Sequence, residues 1–144
     1  MKKIAFLCTA NSCRSQMAEG FARHLGAGHV EAWSAGLISA EVSEMASKVM
    51  KEAGVDISNQ RSKFLEEIPL EEMDLVVTLC ESAGQACVSV PARGRKLHIP
   101  VKDPTGAQGS PRDVMDEFHK ARDEIKAIVC RILKEMNVPS EAKD

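Results

Sequence analysis

A cysteine and an arginine, Cys8 and Arg14, flank a short polar loop near the start of the chain, with five residues between them. The loop follows a continuous apolar run over 3–9, which predicts a buried strand. It precedes apolar residues at helical spacing over 15–25, which predict a helix. Backbone N–H groups and the dipole at a helix N-terminus favour a bound anion. The planar Arg14 fork suits a tetrahedral oxyanion, and the same field would stabilise Cys8 as a thiolate nucleophile.

Two further residues strengthen this interpretation. Ser15 follows Arg14 and could donate a hydrogen bond to the thiolate, and Asn11 tolerates left-handed backbone angles that tight loops need. The competing interpretation is a buried cysteine at a strand end with an unrelated surface arginine. Because the cysteine, the arginine and a strand–loop–helix context coincide, we favour an oxyanion-binding loop made of Thr9, Ala10, Asn11, Ser12, Cys13 and Arg14.

A second pair of thiols, Cys80 and Cys87, lies seven positions apart after an apolar run at 74–79 that predicts another strand. In a regular helix seven residues rise about 10.5 Å, whereas a disulfide needs Cα atoms within about 7 Å. A bridge between the two would therefore require the segment to unwind or loop, which makes it a candidate redox switch. The alternative is two buried thiols that pack as small apolar side chains.

An acidic side chain, Asp103, follows a short predicted strand at 96–99 and precedes Pro104. Asp-Pro is common in turns, so the dipeptide alone favours a structural role. In a parallel sheet, however, the loops that follow successive strands meet at one edge, where ligands bind. Asp103 could then act as a general acid that protonates a leaving oxygen.

The predicted elements alternate between strands and helices, which favours a parallel sheet covered on both faces. The strands are expected at 3–9, 29–34, 74–79 and 96–99, and the helices at 15–25, 41–53 and 112–136. We predict an α/β fold: one three-layer domain with a central four-stranded parallel sheet flanked by helices. The catalytic domain is expected to span 1–136, followed by a polar, frayed tail at 137–144.

Composition excludes several classes of protein. A length of 144 residues predicts one domain, and a net charge of −2 argues against a nucleic-acid or membrane-surface binder. No apolar run approaches the roughly 18 residues of a membrane span, and the start of the chain lacks an export signal, so we expect a cytoplasmic protein.

In the cytoplasm, five cysteines favour catalytic or redox thiols over structural disulfides. We expect Cys13 to be a packing thiol and Cys130 to lie in the core.

The stretch CTANSCRSQMAE at 8–19 resembles the phosphate-binding loop of the low-molecular-weight protein tyrosine phosphatases. It is still more similar to their relatives, the thioredoxin-coupled arsenate reductases, and the resemblance extends from Lys3 to about Met136. The reductases carry a cysteine pair after the same strand, which the phosphatases generally lack. Both families have an Asp-Pro acid, but the phosphatases follow it with tyrosines, whereas this chain has Thr105-Gly106 and no Tyr. That departure favours a small inorganic oxyanion over an aryl phosphate.

The resemblance implies reduction of arsenate to arsenite, in competition with phosphate or sulfate as oxyanions. Cys8 would attack arsenate, Asp103 would protonate the departing hydroxide, and Cys80 and then Cys87 would carry the disulfide outward by thiol exchange. Thioredoxin would reduce the protein, although glutaredoxin or a mycothiol-type thiol remain alternatives. A monomer without metal or other cofactor is expected. The rival functions are a phosphatase-like phosphomonoester hydrolase and a non-enzymatic oxyanion or redox sensor.

The resemblance also suggests a monovalent-cation site, which some of the reductases have. Asn11, Glu19 and Ser34 match its residues, but the position of a further acidic residue is held by Lys63. The Lys63 ammonium could take over the electrostatic role of the cation, so we expect activity that does not depend on potassium. The alternative for Lys63 is a solvated surface side chain.

Overall fold

The computed structural model describes residues 1–38, 40–81 and 94–139. Cys87 lies outside the described residues, so the predicted Cys80–Cys87 pair is represented by its first member alone. In the described part of the chain, none of the helices is both long and apolar enough to cross a membrane.

Four parallel strands form the centre of the molecule, as predicted. They are β1 (Lys2–Cys8), β2 (Val30–Gly36), β3 (Leu75–Thr78) and β4 (Arg95–His98), in the spatial order β2-β1-β3-β4. In register, Cys8 pairs with Gly36, and Leu7 pairs with Thr78. The loops after β1, β2 and β3 therefore leave the sheet at the same edge.

The α-helices in the described part of the chain cover one face of the sheet. They are α1 (Arg14–Leu25), α2 (Glu44–Glu52) and α3 (Pro111–Glu135), and they share one core cluster with Ile4, Phe6 and Val77. Ala5, Leu7 and Val76 alternate to the other face, where the described chain supplies two 3₁₀ turns, Leu65–Glu67 and Leu70–Glu72. The sheet is thus covered on both faces. Among the described residues, the cover of the second face consists of turns that are too short to show helical periodicity.

Predicted element ends differ from the observed ones by at most three residues, and α2 shows the cause of the largest difference. The periodicity predicted a start at 41, whereas the helix begins at Glu44, because the Ser43 side chain caps it by accepting from the Ala46 N–H at 3.2 Å. The residues before the cap bond to the predicted oxyanion loop instead: Ser12 Oγ donates to the Glu41 carbonyl at 2.8 Å.

The end of α3 is a closed turn that includes the first two residues of the predicted tail. Asn137 adopts a left-handed φ of 58°, and its N–H donates to the Lys134 carbonyl at 3.1 Å. The Val138 N–H donates to the Leu133 carbonyl at 2.9 Å, and the Val138 side chain is buried in the core. This Schellman arrangement secures the chain through Val138.

Candidate active site

The loop between β1 and α1 wraps around a small pocket at the carboxyl edge of the sheet. Its backbone turns sharply at Asn11, which adopts a left-handed φ of 50° and is fully buried. The pocket has a volume of about 230 Å³, a suitable size for a tetrahedral oxyanion with water. Its lining consists of Cys8, Thr9, Ala10, Ser12, Cys13, Arg14, Ala40, Asp103 and Thr105.

A directed chain of hydrogen bonds leads to the Cys8 sulfur. The Lys63 backbone N–H must donate, and its acceptor at 2.8 Å is Asn11 Oδ1. The Asn11 Nδ2 group therefore faces Ser15 Oγ, to which it donates at 2.8 Å. Ser15 Oγ lies 2.8 Å from Cys8 Sγ, so the hydroxyl proton of Ser15 is available to the sulfur. The predicted role of Ser15 as a donor to a Cys8 thiolate fits this geometry.

The Arg14 side chain lies under the loop and is 6 % exposed. Its Nη1 donates to the Val101 carbonyl at 3.0 Å and to the Leu79 carbonyl at 3.4 Å. Its Nη2 lies 3.4 Å from Asp103 Oδ2. These contacts fix the plane of the guanidinium and direct its positive charge into the pocket beside Cys8.

Cys80 lies directly beside the pocket, next to the predicted nucleophile. Cys8 and Cys80 form a small buried cluster of their own, and each is 2 % exposed. The Thr9 hydroxyl donates to Cys80 Sγ at 3.5 Å. The structure thus brings together two of the three predicted relay thiols.

Asp103 stands at the mouth of the pocket, where its side chain is 40 % exposed. Its Oδ1 accepts hydrogen bonds from the N–H and the hydroxyl of Thr105, at 3.0 and 2.7 Å, and so caps the 3₁₀ turn Pro104–Gly106. Asp103 therefore stabilises its own turn and also places a carboxyl group at the oxyanion pocket.

The other two described cysteines lie where packing thiols were predicted. Cys13 is buried in the main core cluster, and Cys130 is partly buried against it. Burial above all, with the Asp103 carboxylate and Cys8 as further causes, raises the pKa of Cys13 far above its ordinary value. Cys13 therefore stays a neutral thiol.

The four residues of the predicted cation site also converge. Glu19 is buried and accepts hydrogen bonds from the Ser34 hydroxyl and the Arg23 guanidinium. The Lys63 ammonium lies 3.6 Å from Glu19 Oε1, and only 12 % of its side chain is exposed. Lys63 is thus not the solvated side chain of the alternative interpretation, and its backbone also binds Asn11.

Three residues that were not predicted, Gly36, Gln16 and Gln60, support the loop. A Cβ at Gly36 would lie 2.7 Å from the Thr9 carbonyl oxygen and 2.8 Å from both the Asn11 nitrogen and the Cys8 carbonyl oxygen. Gln16 is fully buried and its Nε2 donates to Asn11 Oδ1 at 3.0 Å, while Gln60 Nε2 donates to Gln16 Oε1 at 2.8 Å. Gln16 falls inside the loop motif, but no local pattern marks Gln60 or Gly36.

Comparisons with known proteins agree with this site. Residues 3–139 match the model of the family described as low molecular weight phosphotyrosine protein phosphatase. The chain is 44% identical over 124 residues to the arsenate reductase of Bacillus subtilis, a match covering 86% of this chain and 89% of that protein.

Solved structures give the same result. A structure described as an arsenate reductase in the phosphate binding state superposes with a TM-score of 0.78 at 35% identity, covering 94% of this chain and 98% of the other. The low molecular weight protein tyrosine phosphatase of T. tengcongensis superposes with a TM-score of 0.76 at 29% identity, covering 94% and 99%. The chain belongs to the low molecular weight phosphotyrosine protein phosphatase family and, within it, groups with the arsenate reductases.

Proposed function

We propose that this protein reduces arsenate to arsenite through a relay of three cysteine thiols. The observation that carries the proposal is the placement of two buried thiols, Cys8 and Cys80, side by side at a pocket that holds an arginine and a carboxyl group. A phosphatase needs the first thiol, the arginine and the acid, but it has no use for the second thiol.

In the first step the Cys8 thiolate attacks arsenate held by the loop N–H groups and Arg14. An S–As bond forms and an As–O bond breaks. The departing oxygen takes a proton from Asp103 and leaves as water, so no free hydroxide is formed. Ser15 stabilises the thiolate before the attack, and Arg14 balances the charge on the arsenate oxygens.

In the second step Cys80 attacks the Cys8 sulfur. The S–As bond breaks, its electron pair stays on arsenic, and As(V) becomes As(III), which leaves as arsenite. The two sulfurs are oxidised to a Cys8–Cys80 disulfide, so the electrons balance without another cofactor. Cys87 then attacks Cys80, and Cys8 is released as a thiol.

The remaining Cys80–Cys87 disulfide needs an external dithiol, for which we propose thioredoxin. Glutaredoxin or a mycothiol-type thiol are the alternative reductants. Such a cycle requires a reducing compartment, so we place the protein in the cytoplasm. We also propose that it acts as a monomer and that phosphate and sulfate compete with arsenate for the pocket.

A coupled assay tests the proposal: arsenate-dependent NADPH oxidation by the protein, thioredoxin and thioredoxin reductase. We expect sustained turnover by the wild type and its loss in the Cys8→Ser, Cys80→Ser and Cys87→Ser variants. Cys130→Ser is the matched control, because Cys130 lies on α3 in contact with the core, and it should turn over like the wild type. If the wild type instead hydrolyses phosphomonoesters and needs Cys8 alone, the phosphatase alternative is correct. Stoichiometric anion binding or thiol oxidation without turnover would identify a sensor.

We further propose that the Lys63 ammonium takes the place of a monovalent cation beside Glu19. The 3.6 Å separation and the low exposure of Lys63 support this role, because a buried carboxylate requires a nearby positive charge. The adjacent Lys63 N–H connects the same residue to Asn11 and so to Cys8.

Potassium dependence provides the test of this role. Turnover of the wild type should be the same in potassium and sodium at constant ionic strength. The Lys63→Met variant should lose activity by about tenfold, or about 1.4 kcal/mol in the activation free energy, because a buried carboxylate beside the loop is left with one partner fewer. Potassium stimulation of the wild type, or full activity of Lys63→Met, would contradict the proposal.

A further inference from the structure

Glu81, the residue after Cys80, contacts the loop that carries the predicted general acid. Its Oε1 accepts a hydrogen bond from the Asp103 backbone N–H at 2.9 Å. Glu81 is exposed, so packing of the core does not require a carboxylate at this position. The contact with Asp103 therefore suggests a functional role for Glu81.

The bond extends a series of contacts that runs out from the sheet edge. The Ile99 N–H donates to the Thr78 carbonyl at 2.9 Å, and the Val101 N–H donates to the Leu79 carbonyl at 3.0 Å. The next N–H group in this alternating series is that of Asp103, and it donates to the Glu81 side chain. A side-chain oxygen thus anchors the chain just beyond the last backbone contact of this series, at the residue that faces the pocket.

This anchor holds the backbone from which the Asp103 carboxyl group projects. The carboxyl Oδ1 binds Thr105, within its own turn, and Oδ2 forms an ion pair with Arg14 at 3.4 Å. At 2.9 Å, the Glu81 bond ties the Asp103 backbone to the segment after β3 that carries Cys80, the thiol that resolves the Cys8–arsenic adduct in the proposed relay. An acid displaced by about 1 Å from its proton acceptor can lose up to 100-fold in rate.

We propose that Glu81 is a positioning residue for Asp103, which holds the general acid over the oxyanion pocket. The inference rests on the proposed function and adds a residue to it. Because Glu81 and Cys80 are neighbours in the chain, the same turn presents the resolving thiol to Cys8 and holds the acid. The acceptor oxygen matters for this role, whereas its negative charge does not.

The test measures a single turnover in the Cys87→Ser background, where the relay stops after one arsenite per chain. Arsenite release is followed over time at several arsenate concentrations. Glu81→Ala should slow release about tenfold, the expected effect of losing one hydrogen bond that positions the acid, with little change in the half-saturating arsenate concentration. Glu81→Gln keeps an acceptor oxygen and should stay within about threefold of the parent. Glu124→Ala, an exposed glutamate on α3, is the control and should match the parent.

A double-mutant cycle with Asp103→Asn separates positioning from a general structural effect. If Glu81 acts through Asp103, Glu81→Ala should add less than about twofold to the loss caused by Asp103→Asn alone. A further tenfold loss in that background, or an undiminished rate in Glu81→Ala alone, would overturn the inference. Absence of arsenite from the parent protein would instead refute the proposed function itself.

Discussion

Replacement of Arg14 by lysine is expected to lower kcat/KM for arsenate by about 100- to 1,000-fold, the range seen when a preorganised donor to a developing charge is removed. The guanidinium is fixed from below by the Val101 and Leu79 carbonyl groups and from the side by Asp103. An ammonium group carries the same charge but lacks the planar fork, so it cannot bind these carbonyl groups and two arsenate oxygens together.

The cause of that loss can be separated from unfolding. Circular dichroism and the midpoint of urea unfolding should show that Arg14→Lys remains folded, since lysine still places a cation near Asp103. Arg131→Lys, on the exposed surface of α3, is the matched control and should keep wild-type activity. A kcat/KM for Arg14→Lys within tenfold of the wild type would contradict the assignment of Arg14 to oxyanion binding.

The Gly36→Ala substitution should also lower activity strongly, although Gly36 has no side chain to contribute to chemistry. An added methyl group would lie 2.7–2.8 Å from backbone atoms of Cys8, Thr9 and Asn11. Backbone atoms cannot rotate away, so the loop must shift. Overpacking of this kind costs about 1–3 kcal/mol of unfolding free energy, and we expect arsenate turnover to fall at least tenfold because the loop N–H groups move.

Gly106→Ala is the matched control for this substitution, because no atom lies near its added methyl group. Urea unfolding and steady-state turnover of the two variants should be compared side by side. If Gly36→Ala retained both wild-type stability and wild-type turnover, the close approach of β2 to the loop would not be needed for either property.

The sequence predicted best those parts of the site that lie close together along the chain. Cys8, Arg14 and Ser15 fall within one strand–loop–helix unit, so local patterns suffice to place them around an anion. Asp103 required the additional rule that loops after parallel strands meet at one edge, and its position at the pocket agrees with that rule.

Local sequence patterns could not predict the contacts between segments that are distant along the chain. Gln60 reaches the loop through Gln16, and the Lys63 backbone sets the direction of the Asn11 amide, yet neither lies in an element with a recognisable period. The same holds for the turns at Leu65–Glu67 and Leu70–Glu72, which cover one face of the sheet with too few residues to show periodicity. The late start of α2 depended on a cap at Ser43, which competes with an apolar pattern that extends further.

The most direct test of the relay is a search for its first disulfide. The Cys87→Ser variant is mixed with arsenate, quenched in acid, alkylated and mapped by mass spectrometry of its peptides, while arsenite is measured in the same sample. The relay predicts one arsenite per chain and a Cys8–Cys80 disulfide in equal amount, with Cys13 and Cys130 recovered as free thiols. Arsenite formed without a Cys8–Cys80 disulfide, or formed over many turnovers in this variant, would contradict the relay.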